Sequence, residues 1–150
     1  MSQLMIAHDA WIVVCDGRKA LFLRNEGNAV RPMLQVEEEM LDGDNPANRD
    51  HGSDRPGRMQ SMGTGPRSAM EPSDYHDRQE AAFLEKVSGG LSRICAARAI
   101  KSLIVVAAPR ALAKLRQCLS APVRQLVTTE IAKDLAKHPV REIERLLTAV

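Results

Sequence analysis

The sequence predicts an α/β domain: a mixed five-stranded sheet, built from a three-strand antiparallel meander plus two parallel strands and covered by helices, with a long Gly/Arg-rich loop inserted. Three observations carry this expectation. Before Asp42, short apolar runs rich in β-branched residues are joined by tight-turn dipeptides. After Asp77, an almost wholly apolar run lies between segments whose apolar residues recur every three or four positions. Between them, residues 42–77 are crowded with Gly, Pro, Asn, Asp and Ser and show neither period.

Each element has its own justification. Ala10–Cys15 is short, apolar and β-branched, which suits a strand buried on both faces. Asp16-Gly17 signals a tight turn. Lys19–Arg24, with Ala20, Leu21, Phe22 and Leu23, is the second strand. A turn at Asn25–Asn28 leads to a third over Val30–Glu37, with Glu37, Glu38 and Glu39 making its end face solvent. The loop at about 42–77 is expected to be flexible, because so long a segment without a pattern of its own is either functional or disordered. Asp74 suits an N-cap, with Asp77 three residues on. Leu84, Val87, Leu91, Ile94 and Cys95 then stripe one helix face, and Gly89-Gly90 implies close packing or a kink. Ser102–Ala108 is the most apolar run, a central parallel strand. Pro109 opens a helix, where its fixed φ and missing N–H cost nothing, and Leu112, Leu115 and Leu119 line it. Ala121-Pro122 breaks that helix; Val123–Val127 alternates as a further strand. Thr128 or Thr129 caps a short helix carrying Ile131 and Leu135, and Ile143, Leu146, Leu147 and Val150 stripe the last one. The order βββ-loop-α-β-α-β-α, with right-handed crossovers in its second half, is that of a ribonuclease-H-like sheet.

Length and composition bound the function. A chain of 150 residues with 44% hydrophobic content forms one domain, 1–150. With 3% aromatics, its core must be Leu, Ile, Val, Ala and Met. Net charge +2 permits contact with nucleic acid without requiring it. Cys15, Cys95 and Cys118 sit in apolar segments with no Cys-x-x-Cys spacing, as reduced thiols of a cytoplasmic protein do. His8 and Asp9 interrupt the N-terminal apolar run, and no run is long enough to span a bilayer, so neither signal peptide nor membrane span is expected.

Several chemistries find no support. Two-metal phosphodiester cleavage needs converging carboxylates; Asp16 ends the first strand, but the central strand ends in Ala107-Ala108-Pro109. His8, His51, His76 and His138 lack metal-ligand spacing, so no metal or cofactor is expected. Ser53, Ser61, Ser68 and Ser73 read as turn formers. The arginines are the strongest signal. Arg49, Arg55, Arg58 and Arg67 lie in one loop facing only Asp50 and Asp54, and Arg110 and Lys114 lie one turn apart on the helix that Pro109 opens. Guanidinium forks suit phosphates and carboxylates. Arg116 and Arg124 are expected to add to that end of the sheet. Trp11 and Tyr75 offer little stacking surface, so any RNA contact is expected at the backbone.

Trp11 with Asp16-Gly17-Arg18-x-Ala20, Asp54-Arg55-Pro56-Gly57-Arg58, Phe83, Ala107-Ala108-Pro109-Arg110 with Leu115-Arg116, and Glu130-Ile131-x-Lys133-Asp134-Leu135 resemble, in this order, the bacterial host attachment protein family. That family is similar to the central domain of archaeal and eukaryotic class-1 translation release factors. There the equivalent loop carries Gly-Gly-Gln and enters the peptidyl-transferase centre. Here Gln60 follows Arg58-Met59, and no Gly-Gly-Gln occurs. The arginines, with the loop in the position of the release factors' catalytic loop, lead to the expectation of a cytoplasmic, non-catalytic module that meets the ribosome or structured RNA through Arg49, Arg55, Arg58, Arg67, Arg110 and Lys114. Two alternatives stand beside it: a peptidyl-tRNA hydrolase using Gln60, and a protein–protein adaptor in attachment or signalling.

Overall fold

The computed structural model describes residues 5–42 and 72–148. Strands β1 (Trp11–Cys15), β2 (Lys19–Asn25) and β3 (Leu34–Leu41) precede helix α1 (Pro72–Ala97). Strand β4 (Leu103–Ala107), helices α2 (Pro109–Cys118) and α3 (Ala121–Leu126), strand β5 (Val127–Ala132) and helix α4 (Val140–Thr148) complete the chain. The five strands form one sheet in the order β3-β2-β1-β4-β5. β1–β2 and β2–β3 are antiparallel; β1–β4 and β4–β5 are parallel. This is the ribonuclease-H-like arrangement that the element order implies.

The apolar runs became strands because both faces of the sheet are covered. Every residue of β1 and of β4 is buried. Trp11, Val13, Cys15, Leu103, Val105 and Ala107 belong to a core shared with α1, α2 and α3. Ile12, Val14, Ile104 and Val106 belong to a second core with Ile6, Leu135 and the α4 residues Ile143 and Leu147. Each fully buried Leu, Ile, Val or Phe contributes roughly 1.5–3 kcal/mol by leaving water, so two apolar layers fix the sheet's place between the helices.

Three local expectations need correction. The third strand begins at Leu34 and ends at Leu41, later than Val30–Glu37. Side chains hold the preceding residues in turns. Asn25 Oδ1 accepts from the amides of Gly27 (2.9 Å) and Met33 (2.8 Å), and Asn28 Oδ1 accepts from those of Val30 (2.9 Å) and Arg31 (2.8 Å). The strand runs on through Glu37, Glu38 and Glu39 because cations meet them. Arg24 and Arg98 reach Glu37, Arg93 reaches Glu38, and Lys19 reaches Glu39.

The long helix begins at Pro72, ahead of the expected cap at Asp74, so residues 72–77 are helical. Its stripe is as expected: Leu84, Val87, Leu91, Ile94 and Cys95 are all buried. Of its two glycines only Gly90 reflects close packing. A Cβ there would lie 3.3 Å from Met40 Sδ and 3.4 Å from Phe22 Cε2, whereas a Cβ at Gly89 meets nothing within 4 Å.

The third correction concerns residues 121–132. Ala121–Leu126 is a helix with Pro122 in its first turn, and the strand is Val127–Ala132. Pro122 starts a helix here as Pro109 does. Val127, Thr129 and Ile131 pair with Leu103, Ile104 and Val106 of β4, so the threonines lie in a strand and cap nothing. Leu135 is buried in the connection to α4. No disulfide joins the cysteines: Cys15 and Cys95 are buried and Cys118 half-buried. Among the described residues, no helix is long and apolar enough to cross a membrane.

Candidate functional site

The parallel strands β1 and β4 end at Cys15 and Ala107, and α2 starts two residues later at Pro109. In open α/β sheets this carboxyl end is where ligands are usually met. The same end carries the Asp16-Gly17 turn. Asp16 Oδ1 accepts from the Arg18 and Lys19 amides, each at 2.8 Å. That use makes Asp16 a turn residue, and no group of three or more His, Cys, Asp or Glu able to hold a metal occurs among the described residues. β3 also finishes here, with the Asp42 amide donating to the Arg18 carbonyl at 2.7 Å.

The Glu80 side chain lies over Gly17, where a Cβ would require it to move aside. Glu80, on α1, thus sits beside the β1–β2 turn and also reaches α2. It accepts from Lys114 Nζ at 2.8 Å, and Arg110 Nε lies 3.7 Å away. Asp77, one turn earlier on α1, pairs with Arg110, and Lys114 lies 4.0 Å from it. The two predicted cations of α2 thus do come together, with two carboxylates that sequence spacing does not reveal. Arg110 keeps 64% of its side chain in solvent, and Lys114 only 26%. Arg110 retains donors for an incoming anion; Lys114 mainly holds Glu80 in place. A cavity of about 190 Å³ lined by Gly17, Arg18, Asp42, Gln79 and Glu80 adjoins the cluster.

Arg49, Arg55, Arg58 and Arg67 lie outside the described residues, and so do Gln60 and His51. What the structure does locate is the root of their segment. Residue 43 follows Asp42, and residue 71 precedes the helix that carries Asp77 and Glu80, so both ends of 43–71 join the domain on the Arg110–Lys114 side.

Arg116 and Arg124 are not part of that cluster. Arg116 Nε donates to Glu130 at 2.8 Å, and this bond raises the guanidinium pKa above its ordinary value. Arg124 Nη2 donates to the Arg116 carbonyl at 2.9 Å. Both line a cleft of about 620 Å³ beside β5, together with Leu119, Val127, Thr128 and Thr129. A sequence signal for this cationic side exists. Residues 101–129 contain Lys101, Arg110, Lys114, Arg116 and Arg124 and no Asp or Glu. Trp11 cannot serve as a stacking platform. It is 4% exposed, and the Arg98 guanidinium lies over its ring, 5.1 Å from the centroid.

Fold and cluster together define a class: a ribonuclease-H-like α/β domain with a charged carboxyl edge and a long connection rooted beside it. The family is more definite. The chain belongs to bacterial archaeo-eukaryotic release factor family 12, whose model matches residues 9–147. It is also 34% identical over 87 residues to an uncharacterized protein of Rickettsia prowazekii (strain Madrid E), a stretch covering 56% of this chain and 58% of that protein. The release-factor side of the resemblance is thereby shown, and the host-attachment description is not part of the match.

Proposed function

We propose that this release-factor-family domain is a non-catalytic module that binds the ribosome or structured RNA in the cytoplasm. In this reading Arg49, Arg55, Arg58 and Arg67 contact the phosphate backbone, and Arg110 extends that surface onto the domain, with Lys114 behind it holding Glu80. One observation supports it above the others: the segment bearing the four arginines is rooted beside the Asp77–Arg110–Glu80–Lys114 cluster. A backbone-directed mode suits the residues present, because Trp11 is buried under Arg98 and no base-stacking face is offered there.

The test is salt-dependent co-sedimentation with ribosomes. Each phosphate neutralised adds roughly 0.7–0.9 to the slope of log K against log salt. Replacing Arg55, Arg58 and Arg67 together by Ala is expected to flatten that slope by about two units and weaken binding at every salt concentration. A triple variant that binds like wild type throughout removes the reading. The hydrolase alternative is separated by a peptidyl-tRNA release assay. Release by wild type and not by Gln60→Ala, with binding intact, would replace the module by an enzyme.

A further inference from the structure

The sheet has two edges, and they are built differently. β3 is capped at its start by α4: the Leu34 amide donates to Glu144 at 3.0 Å and its carbonyl accepts from Arg141 at 3.4 Å. It then carries Glu37, Glu38 and Glu39, each paired with a cation of its own copy, and charged side chains along an edge are a usual defence against a further strand. β5, the other edge, reads Val127-Thr128-Thr129-Glu130-Ile131-Ala132, with half-buried and exposed residues alternating and four of six β-branched. Its single carboxylate is already held by Arg116 of the same copy at 2.7 Å. Among the described residues, the backbone of Thr128–Ala132 pairs only with β4.

The charges flanking β5 are self-complementary. Arg124 lies just before the strand, is exposed, and has as its described partner a carbonyl and no carboxylate. Asp134 lies just after the strand, is exposed, and has no described cationic partner. We infer that β5 pairs antiparallel with β5 of a second copy about a two-fold axis, joining two sheets into one. The antiparallel sense sets the Val127 end of each strand beside the Ala132 end of the other. Arg124 of each copy then faces Asp134 of its partner, so the axis produces two such ion pairs. This is an isologous contact, in which one patch supplies both halves. The cleft beside β5 gives the second strand's side chains a partly apolar seat over Leu119 and Val127. Six residues of edge make a contact at the small end of specific interfaces, below about 1,200 Å² in total. The association is therefore expected to be reversible and concentration-dependent.

Sedimentation velocity of the full chain across a wide micromolar range tests this directly. Wild type is expected to shift from monomer towards dimer as concentration rises. Arg124→Asp alone and Asp134→Arg alone each place like charges face to face twice per dimer, and each should weaken association about tenfold or more. The double variant Arg124→Asp/Asp134→Arg restores the pairs with signs reversed, and should return the dissociation constant to within about threefold of wild type. Equal melting temperatures across the set, taken at a dilution where every variant is monomeric, confirm that folding is unaffected. Amide exchange of wild type supplies a second readout: protection of Thr128–Ala132 should rise with concentration. A wild type monomeric throughout, single variants that dimerise like wild type, a double variant that fails to recover, or concentration-independent exchange in β5 would each overturn the inference.

Discussion

Burial sets the chemistry of Cys15. It is fully enclosed at the end of β1, and burial, with the charge of Asp16 adding to it, pushes its thiol from 9.0 up to about 12. The thiolate is the reactive form, so Cys15 is expected to resist alkylation near neutral pH until the domain unfolds. The same shift has a thermodynamic consequence with a definite sign. Between pH 9 and 12 the unfolded chain releases this proton while the folded chain keeps it. The group's contribution is thus fully present below pH 9 and is lost as pH rises towards 12. Denaturant titrations of wild type should show stability falling above pH 9 by up to about 1.4 kcal/mol per pH unit from this group. Cys15→Ala should lower stability at neutral pH but remove that alkaline component; an unchanged alkaline limb in the variant would assign the loss to other groups.

Helix α1 offers a paired experiment, because two neighbouring glycines occupy opposite situations. A Cβ at Gly89 points into open space, so Gly89→Ala is expected to stabilise by about 1 kcal/mol through helix propensity alone. At Gly90 the same gain is set against contacts with Met40 and Phe22, and Gly90→Ala should be near neutral or destabilising. Thermal melts of the two variants should differ in sign or clearly in size. The same helix marks what sequence could and could not reveal. Its buried stripe from Leu84 to Cys95 was legible because five residues share one period. Strands β1 and β4 were legible because burial on both faces demands a continuous apolar run. β3 was displaced in the sequence reading because three adjacent glutamates look like an end; their partners Arg93, on α1, and Arg98, just past its end, are invisible locally. β5 was misread because the alternation of Val123–Val127 outweighed two better signals, Pro122 at a helix start and a β-branched run after it. At the candidate site, Arg110 and Lys114 were legible as one helix face. Asp77 and Glu80, which neutralise them, come from a different helix and emerge only with tertiary structure.

For the molecule as a whole, the sheet is the common wall of two cores, so damage to an inner strand should not stay local. Val105 is 1% exposed on β4, between β1 and β5. Val105→Asp places an unpaired charge among apolar neighbours, at a cost expected to exceed about 4 kcal/mol. Loss of the cooperative melting transition in that variant is the expected outcome, and a wild-type melting temperature would refute the assignment of β4 to the core. The connection 43–71 should behave in the opposite way. Asp42 and Gln79 line one small cavity, and Pro72 begins the helix of Gln79 about two turns earlier, roughly 10 Å along its axis at 1.5 Å per residue. A span that short needs only a few residues to bridge it. Holding together the ends of a connection costs chain entropy that grows only with the logarithm of its length, about 0.6 kcal/mol per doubling. On chain entropy alone, replacing 43–71 by a short Gly-Ser bridge is expected to leave the folding free energy unchanged or slightly raised, so closing the chain sets little constraint on how long this connection must be.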